Sequence, residues 1–453
     1  MRQPLGVFNQ VNPGVTMTLS AQSFITDNHG WAELLPSRTA KQTLRGSHRV
    51  PYVVIGAGVT GLSCARRLAE LHPNDEIILL DARKVGQGAS GRNSGYAVAI
   101  SQFSGSFDKN QAANYRRVNR INQSGLNLLR SNVHDNAIDC QWQEEGFYHT
   151  AADSHSDREC QFFDDYLNQL ELEHTLLGKD ELTQKLGTSL YKIGVHVPNG
   201  VLLQPAALVH GLADSLPKNV TLYENSPVLK IERGTPVKLT LEKGDVIADK
   251  VFVATNYEAP KLGFIKRNIM GSTLSGSFTR KLTEEELNSL GSLRKWGVLS
   301  LHGGGATVRL TLDGRISLRN TAEYHGALLM SDSFLAKRQA IHRAAFEKRF
   351  PQLAHVPFEC SWSGVEGISQ NFTNFFGKQS ENIYLAGGYN GSGVSRGTAF
   401  GAALADYANG GQTPLIDDCL ASAPASWIPP RPFLDVGAFF KVKMRFIGVG
   451  LDR

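Results

Sequence analysis

The sequence predicts an α/β protein whose two domains carry sheets of different kinds, and three observations predict it. A β-branched run, Val50 to Ile55, passes through a glycine-rich turn into helical apolar spacing from Val59 to Leu71, followed by a second apolar run, Ile77 to Leu80. That order describes a βαβ unit of parallel strands covered on both faces. Residues 307–319 instead alternate polar and apolar about Asp313-Gly314, the favoured two-residue hairpin turn, which belongs to an antiparallel sheet with one buried face. The first style then returns, with Asn382 to Ala386 as a buried strand, a glycine-rich turn, and a helix from Val394 to Tyr407. The first domain is therefore expected to be discontinuous.

Taken in order, residues 1–49 show no clean period and read as an arm laid over the surface. Residues 50–145 form the first part of the nucleotide-type domain and close with a helix between Gln111 and Asn136. Residues 146–200 open the second domain with short strands and a polar helix near Asp157 to Leu172. The first domain resumes over 201–258, where Pro205 starts a helix at its favoured first position and Val228 to Ile231, Val237 to Leu241 and Lys250 to Ala254 read as strands. Residues 259–358 return to the second domain and 359–412 to the first. The remainder, 413–453, is a linker rich in Pro, Ala and Ser around Trp427, then a tail in which Val436, Phe440 and Ile447 lie near helical spacing with Lys441, Lys443 and Arg445 between them. Packing of that tail against the body is expected in preference to membrane association, because its polar face is short.

At 453 residues, with 41% apolar and 20% charged residues, the chain has the make-up of two to three globular domains, and a single small binding module is excluded. The net charge of +5 is spread along the chain, so no basic stripe points to nucleic acid. Five cysteines with no C-x-x-C pair hold neither a disulfide framework nor zinc, and reduced thiols in the cytoplasm are expected. Asn9, Gln10, Asn12 and Pro13 interrupt the first twenty residues, which argues against a signal peptide, and no run is long and apolar enough to span a bilayer.

Gly56-Ala57-Gly58-Val59-Thr60-Gly61 matches G-x-G-x-x-G between a strand and a helix. Its first glycine makes the turn, its second lets backbone approach a pyrophosphate, and its third allows close helix–strand packing, with the helix N-terminus facing the phosphates. Asp81 follows Gly61 by twenty residues, at the end of the second strand, where a carboxylate accepts from ribose hydroxyls. A second run of small residues, Gly86-Gln87-Gly88-Ala89-Ser90-Gly91-Arg92-Asn93-Ser94-Gly95, offers amides and one guanidinium to the same phosphates. The turn from Gly387 to Gly393 likewise feeds a helix N-terminus, suited to the negative charge of a reduced flavin.

The second run resembles the G-A-S-G-R-N signature of the D-amino-acid-oxidase superfamily of FAD-dependent oxidoreductases. Val251 to Asn256 looks like that family's third flavin-domain strand, Ser361-Trp362-Ser363-Gly364 like its W-x-G segment, and Tyr384 to Val394 like its C-terminal flavin loop. The γ-glutamylputrescine oxidoreductase branch is similar along essentially the whole chain. The resemblance implies a Rossmann-like FAD-binding domain and an α+β substrate domain. It adds Ala82, Val228, Thr255, Asn256, Trp362, Gly388, Asn390, Gly391, Ser392, Gly393 and Val394 to the FAD contacts. Ser392 stands where relatives often carry histidine.

The implied activity is oxidation of a C–N bond in a small amine, γ-glutamyl-polyamine or amino acid by hydride transfer to flavin N5, giving an imine that hydrolyses to a carbonyl product. Dioxygen or another acceptor would reoxidise the flavin, and the oligomeric state stays open. Arg309, on the hairpin face that would roof the ring, is the candidate for holding a substrate carboxylate. FAD is expected to be non-covalent, with a covalent link through Cys360 as the alternative, because Cys360 precedes Trp362 by two as in the sarcosine-oxidase branch. No catalytic acid or base is singled out. Rival readings are a nicotinamide-dependent dehydrogenase, a non-catalytic flavin-binding protein and a tRNA-modifying relative, the last disfavoured by the absence of a basic stripe. Gly393-Val394-Ser395-Arg396-Gly397 matches a nucleophile elbow, but no histidine follows residue 355, so a serine hydrolase is excluded. His149, His196, His210, His302 and His325 have no metal-motif spacing and are expected to be structural or solvated.

Overall fold

The computed structural model describes residues 29–101 and 108–453. Five parallel strands form the centre of the first sheet, in the order Ile383–Gly387, Gly244–Val253, Gly46–Ile55, Ile77–Leu80 and Val220–Tyr223. They come from three separated stretches of chain, so the domain is discontinuous as the pattern implied. Ile77–Leu80 is buried at every position because both faces are covered, which is why this run does not alternate. One face carries the helices Val59–Leu71 and Gly393–Ala408, which cross so closely that a Cβ on Gly401 would stand 2.1 Å from the Thr60 carbonyl oxygen. The strand Val237–Leu241 pairs antiparallel with Gly244–Val253.

Among the described residues the second sheet has eight strands, antiparallel except where Trp296–Ser300 pairs in parallel with Phe147–Ala151. Its hairpin pairs Thr307 with Arg319 and Leu310 with Ile316. Val308, Leu310 and Leu318 point into a core closed by Phe346 and Phe350, Phe346 coming from the helix Asp332–Arg349. Leu312, which strict alternation would put on the same face, is 49% exposed, because the strand ends at Leu310 and the turn begins.

Three expectations need correction. The strand Phe358–Ser369, which carries Trp362, pairs with Ile269–Thr279 and so belongs to the second sheet; the first sheet resumes at Phe375. Of the residues expected as a surface arm, 1–28 lie outside the described residues and 32–49 are, Leu44 apart, partly or fully exposed, but the short helix Gly30–Glu33 buries Trp31 completely, edge-on to Phe278 at 4.7 Å and Trp362 at 6.3 Å. The tail forms a helix, Phe433–Arg445, and packs on the body as expected through Ala438, Val449 and Asp452, yet the apolar stripe expected to do so does not: Val436, Phe440 and Ile447 face solvent at 58%, 59% and 72% exposure. Among the described residues, no helix is long and apolar enough to cross a membrane.

Burial lowers the pKa of three imidazoles, His29, His149 and His342, to about 3 each. Each takes up a proton on unfolding anywhere between about pH 6.5 and 3, so the unfolded chain binds more protons and stability falls as pH drops through that window. Each contributes up to about 1.4 kcal/mol per pH unit. Thermal melting is therefore expected to move down between pH 7 and 5, with a smaller shift in His342→Gln; a flat profile would contradict neutral burial.

Candidate active site

One continuous cavity of about 1370 Å³ lies between the carboxyl ends of the parallel strands and one face of the second sheet. That exceeds the usual span of small-ligand pockets, and its place is where open α/β sheets bind nucleotides.

At the nucleotide end, Gly56 adopts φ +102° and Gly61 presses on its carbonyl, where a Cβ would come within 1.7 Å of the oxygen. The Asp81 carboxylate accepts from the backbone N–H of Ala57 at 2.8 Å and of Arg83 at 2.9 Å. Burial pushes its pKa up to about 6 against those bonds. Ser90 Oγ accepts from Val59 N–H at 3.1 Å, tying the two glycine-rich turns together. Gly56, Gly58, Val59, Thr60, Asp81, Ala82, Gly88, Ala89, Ser90, Arg92, Asn93 and Ser94 all line the cavity, as do Val228, Thr255 and Asn256. Ala57, Gly61 and Gly95 lie behind that wall. There Gly61 packs closely on the Gly56 carbonyl, and the N–H of Gly95, at φ +78°, donates to Asn93 Oδ1 at 2.8 Å.

The guanidinium of Arg92 is not aimed as expected. It donates to Gln87 O and Oε1 at 2.9 and 2.7 Å and to Ser363 O at 3.1 Å, bracing this loop against the second sheet. Trp362 Nε1 donates to Arg92 O at 3.2 Å and its ring lines the cavity.

From the other side come Asn390, Gly391, Ser392, Gly393 and Val394, at the N-terminus of the sixteen-residue helix Gly393–Ala408. Gly388 holds this turn from behind the wall: its N–H donates to Asn256 Oδ1 at 2.8 Å, and its carbonyl accepts from Asn390 Nδ2 at 2.7 Å. Thr255 Oγ1 is buried without a partner among the described residues while its residue lines the cavity, which marks a place for a polar ligand atom. A glycine cradle, a buried carboxylate, an orphaned hydroxyl and a helix N-terminus together fit a dinucleotide with an anionic ring.

The second sheet supplies the remaining wall, including His149, Ser300, His302, Thr307, Ser317 and Arg319. Arg309 is absent from it. Its side chain is on the same sheet face as Ser317, its register partner, but only 1% exposed, stacked 5.2 Å over Trp31 and donating to Leu203 O at 2.6 Å. The buried helix at residues 30–33 covers that position, so the substrate-binding assignment of Arg309 is corrected. Arg319, opposite Thr307, is the hairpin arginine that reaches the cavity, and its Nη2 donates to Thr307 Oγ1 at 2.6 Å. Alternation alone marks this face without choosing between the two arginines. His149 and His302, read from sequence as structural, also line the cavity, and no local motif marks them.

Cys360 lies outside the cavity wall, against the Trp31, Phe278 and Trp362 cluster, and burial pushes its thiol up to about 11. The covalent alternative is therefore not carried by the geometry. Acid precipitation is expected to release all the flavin, and Cys360→Ser to keep full flavin content; colour retained in a washed pellet would reverse this.

Residues 51–407 match the family model of FAD dependent oxidoreductases. The chain belongs to that family. This FAD-dependent oxidoreductase is 28% identical to γ-glutamylputrescine oxidoreductase of Escherichia coli over 381 residues, 81% of this chain and 85% of that one. It is also 28% identical to the probable oxidoreductase OrdL of Haemophilus influenzae over 364 residues, covering 76% and 79% of the two chains. Among solved structures it resembles glycine oxidase of Geobacillus kaustophilus, with a TM-score of 0.68 at 18% identity over 81% of this chain and 96% of that one. FAD is thus the dinucleotide, which sets aside the nicotinamide reading, and the protein is an oxidoreductase.

Proposed function

We propose that this oxidoreductase oxidises the C–N bond of a small amine that carries a carboxylate, an amino acid or a γ-glutamyl amine. The observation behind the reading is that the nucleotide cradle and the polar wall of the second sheet share one cavity, with Arg319 on that wall. Bound FAD supplies the two-electron acceptor that takes a hydride equivalent from the carbon bearing nitrogen.

Arg319, held by Thr307, orients the substrate through its carboxylate, a geometry that guanidinium suits better than ammonium. His149 stays neutral at working pH and puts no positive charge beside an amine. Met270, Leu274, Leu299 and Leu301 line the same space, and an apolar surround disfavours the ammonium form, so the reactive unprotonated amine is favoured. Residues of Gly393–Ala408 place a positive helix end at the opposite wall. The name of the Escherichia coli relative supports γ-glutamyl amines within this class.

The test is a panel of amino acids, sarcosine, polyamines and γ-glutamyl amines, assayed for a carbonyl product and one equivalent of released ammonia or amine. Amines with a carboxylate are expected to exceed their decarboxylated counterparts at least about 100-fold in kcat/KM, the order of a buried charged pair. Equal turnover of both would remove the carboxylate from the reading.

A further inference from the structure

The tail helix Phe433–Arg445 is amphipathic in an inverted sense. Leu434, Ala438 and Val442 are its less exposed positions, whereas Phe433, Val436, Phe440 and Met444 recur on its outer face at 71%, 58%, 59% and 60% exposure. Ile447 continues the stripe at 72%. Among the described residues, seven of the fourteen large exposed apolar side chains fall between Phe433 and Leu451. A concentration of this kind on an otherwise ordinary surface marks an interaction site.

The face is fixed outward. Upstream, Ile428 N–H donates to Arg267 O at 2.7 Å and Asn371 Nδ2 to Pro424 O at 2.9 Å. Downstream, the buried Asp452 accepts from Ala152 N–H at 3.2 Å, and its carbonyl accepts from Arg349 Nη2 at 2.7 Å. Tyr324 O–H donates to Asp435 at 2.7 Å and sets the rotation of the helix.

Charge decides what covers it. From Trp427 to the end the chain has five basic residues, Arg431, Lys441, Lys443, Arg445 and Arg453, against two acidic ones. Asp435 is engaged by Tyr324 and by Arg431 at 3.3 Å, and Asp452 is fully buried. Of the basic residues, Arg431 is taken up by Asp435, Arg453 packs over Phe446, and Lys441 lines the cavity, so among the described residues the outer face offers apolar side chains with Lys443 on it, Lys441 at its edge, and no fully exposed acid. Lys443 lies with its Nζ 4.5 Å from the Phe439 ring centroid, an aliphatic stem along an apolar surface with the charge at its edge. A second copy would present the same face, which has no exposed acid among the described residues to meet Lys443.

We propose that this helix docks on a lipid bilayer surface bearing anionic headgroups, its aromatic and aliphatic stripe entering the acyl boundary and its lysines meeting the headgroups. Because Phe433, Gly437, Lys441 and Met444 also line the cavity, docking would bring the cavity mouth to the bilayer. The reading does not depend on which amine is oxidised.

Flotation of the FAD-loaded protein with phosphatidylglycerol–phosphatidylcholine vesicles tests it. Binding is expected to anionic vesicles, to fall with added salt, and to be at least tenfold weaker on phosphatidylcholine alone. Phe440→Asp and Lys443→Glu should each weaken it at least tenfold with flavin content and melting temperature unchanged. Absence of binding at low salt, or binding untouched by both substitutions, overturns the proposal. Self-association abolished by Phe440→Asp, without vesicle binding, overturns it in favour of a second copy.

Discussion

Gly61→Ala is expected to yield a chain that purifies without FAD. The added Cβ would stand 1.7 Å from the Gly56 carbonyl oxygen and 2.9 Å from its carbon, both backbone atoms, so no rotamer relieves the clash. Either the helix Val59–Leu71 lifts from the strand or the Gly56 turn opens. The helix cannot lift alone, since a Cβ on Gly401 would already meet Thr60 O at 2.1 Å across the crossing with Gly393–Ala408. The turn must therefore open, and Ala57 N–H then leaves Asp81 and the cradle loses its shape. A loss of at least about 100-fold in FAD affinity, near 2.7 kcal/mol, follows. Gly178→Ala, where the nearest atom to the new Cβ lies at 4.0 Å, is the control expected to keep full flavin. Flavin absorbance per chain after gel filtration reads both, and a yellow Gly61→Ala protein would contradict the close-approach argument.

The second large effect falls on catalysis. Arg319→Met is expected to lower kcat/KM for a carboxylate-bearing amine by at least about 100-fold, mostly through KM, with flavin content unchanged. Arg309→Met should leave KM within about twofold, because its guanidinium is stacked on Trp31 and bonded to backbone instead of facing the cavity; stability is what it should alter. The pair discriminates, since both arginines occupy one face of one hairpin. If Arg309→Met raises KM and Arg319→Met does not, the geometric reading of the substrate wall is wrong.

The nucleotide half of the site was legible because its constraints are local. A turn with positive φ at Gly56, a close approach at Gly61 and a carboxylate at Asp81 all act within about thirty residues, and each leaves a residue type that little else explains. The hairpin about Asp313-Gly314 was legible for the same reason, while the face it turns toward the cavity came only from the family resemblance. What sequence missed depends on distant chain. Arg309 and Arg319 are equivalent by alternation, and only Trp31, nearly three hundred positions earlier, covers one of them. Trp362 carries no mark of which sheet its strand joins, because an antiparallel register with Ile269–Thr279 is settled by pairing across some ninety residues. The tail has helical apolar spacing, which normally means a buried stripe, and here that stripe faces outward.

The central claim is that both glycine-rich turns and the second-sheet wall enclose one flavin and one amine together. Anaerobic mixing of the purified yellow protein with a γ-glutamyl amine or an amino acid tests it most directly, by loss of the flavin absorption band in a single turnover. The account predicts bleaching by carboxylate-bearing amines, greatly slowed in Arg319→Met at substrate concentrations well below its KM. A yellow protein that no amine or amino acid on the panel bleaches would contradict it.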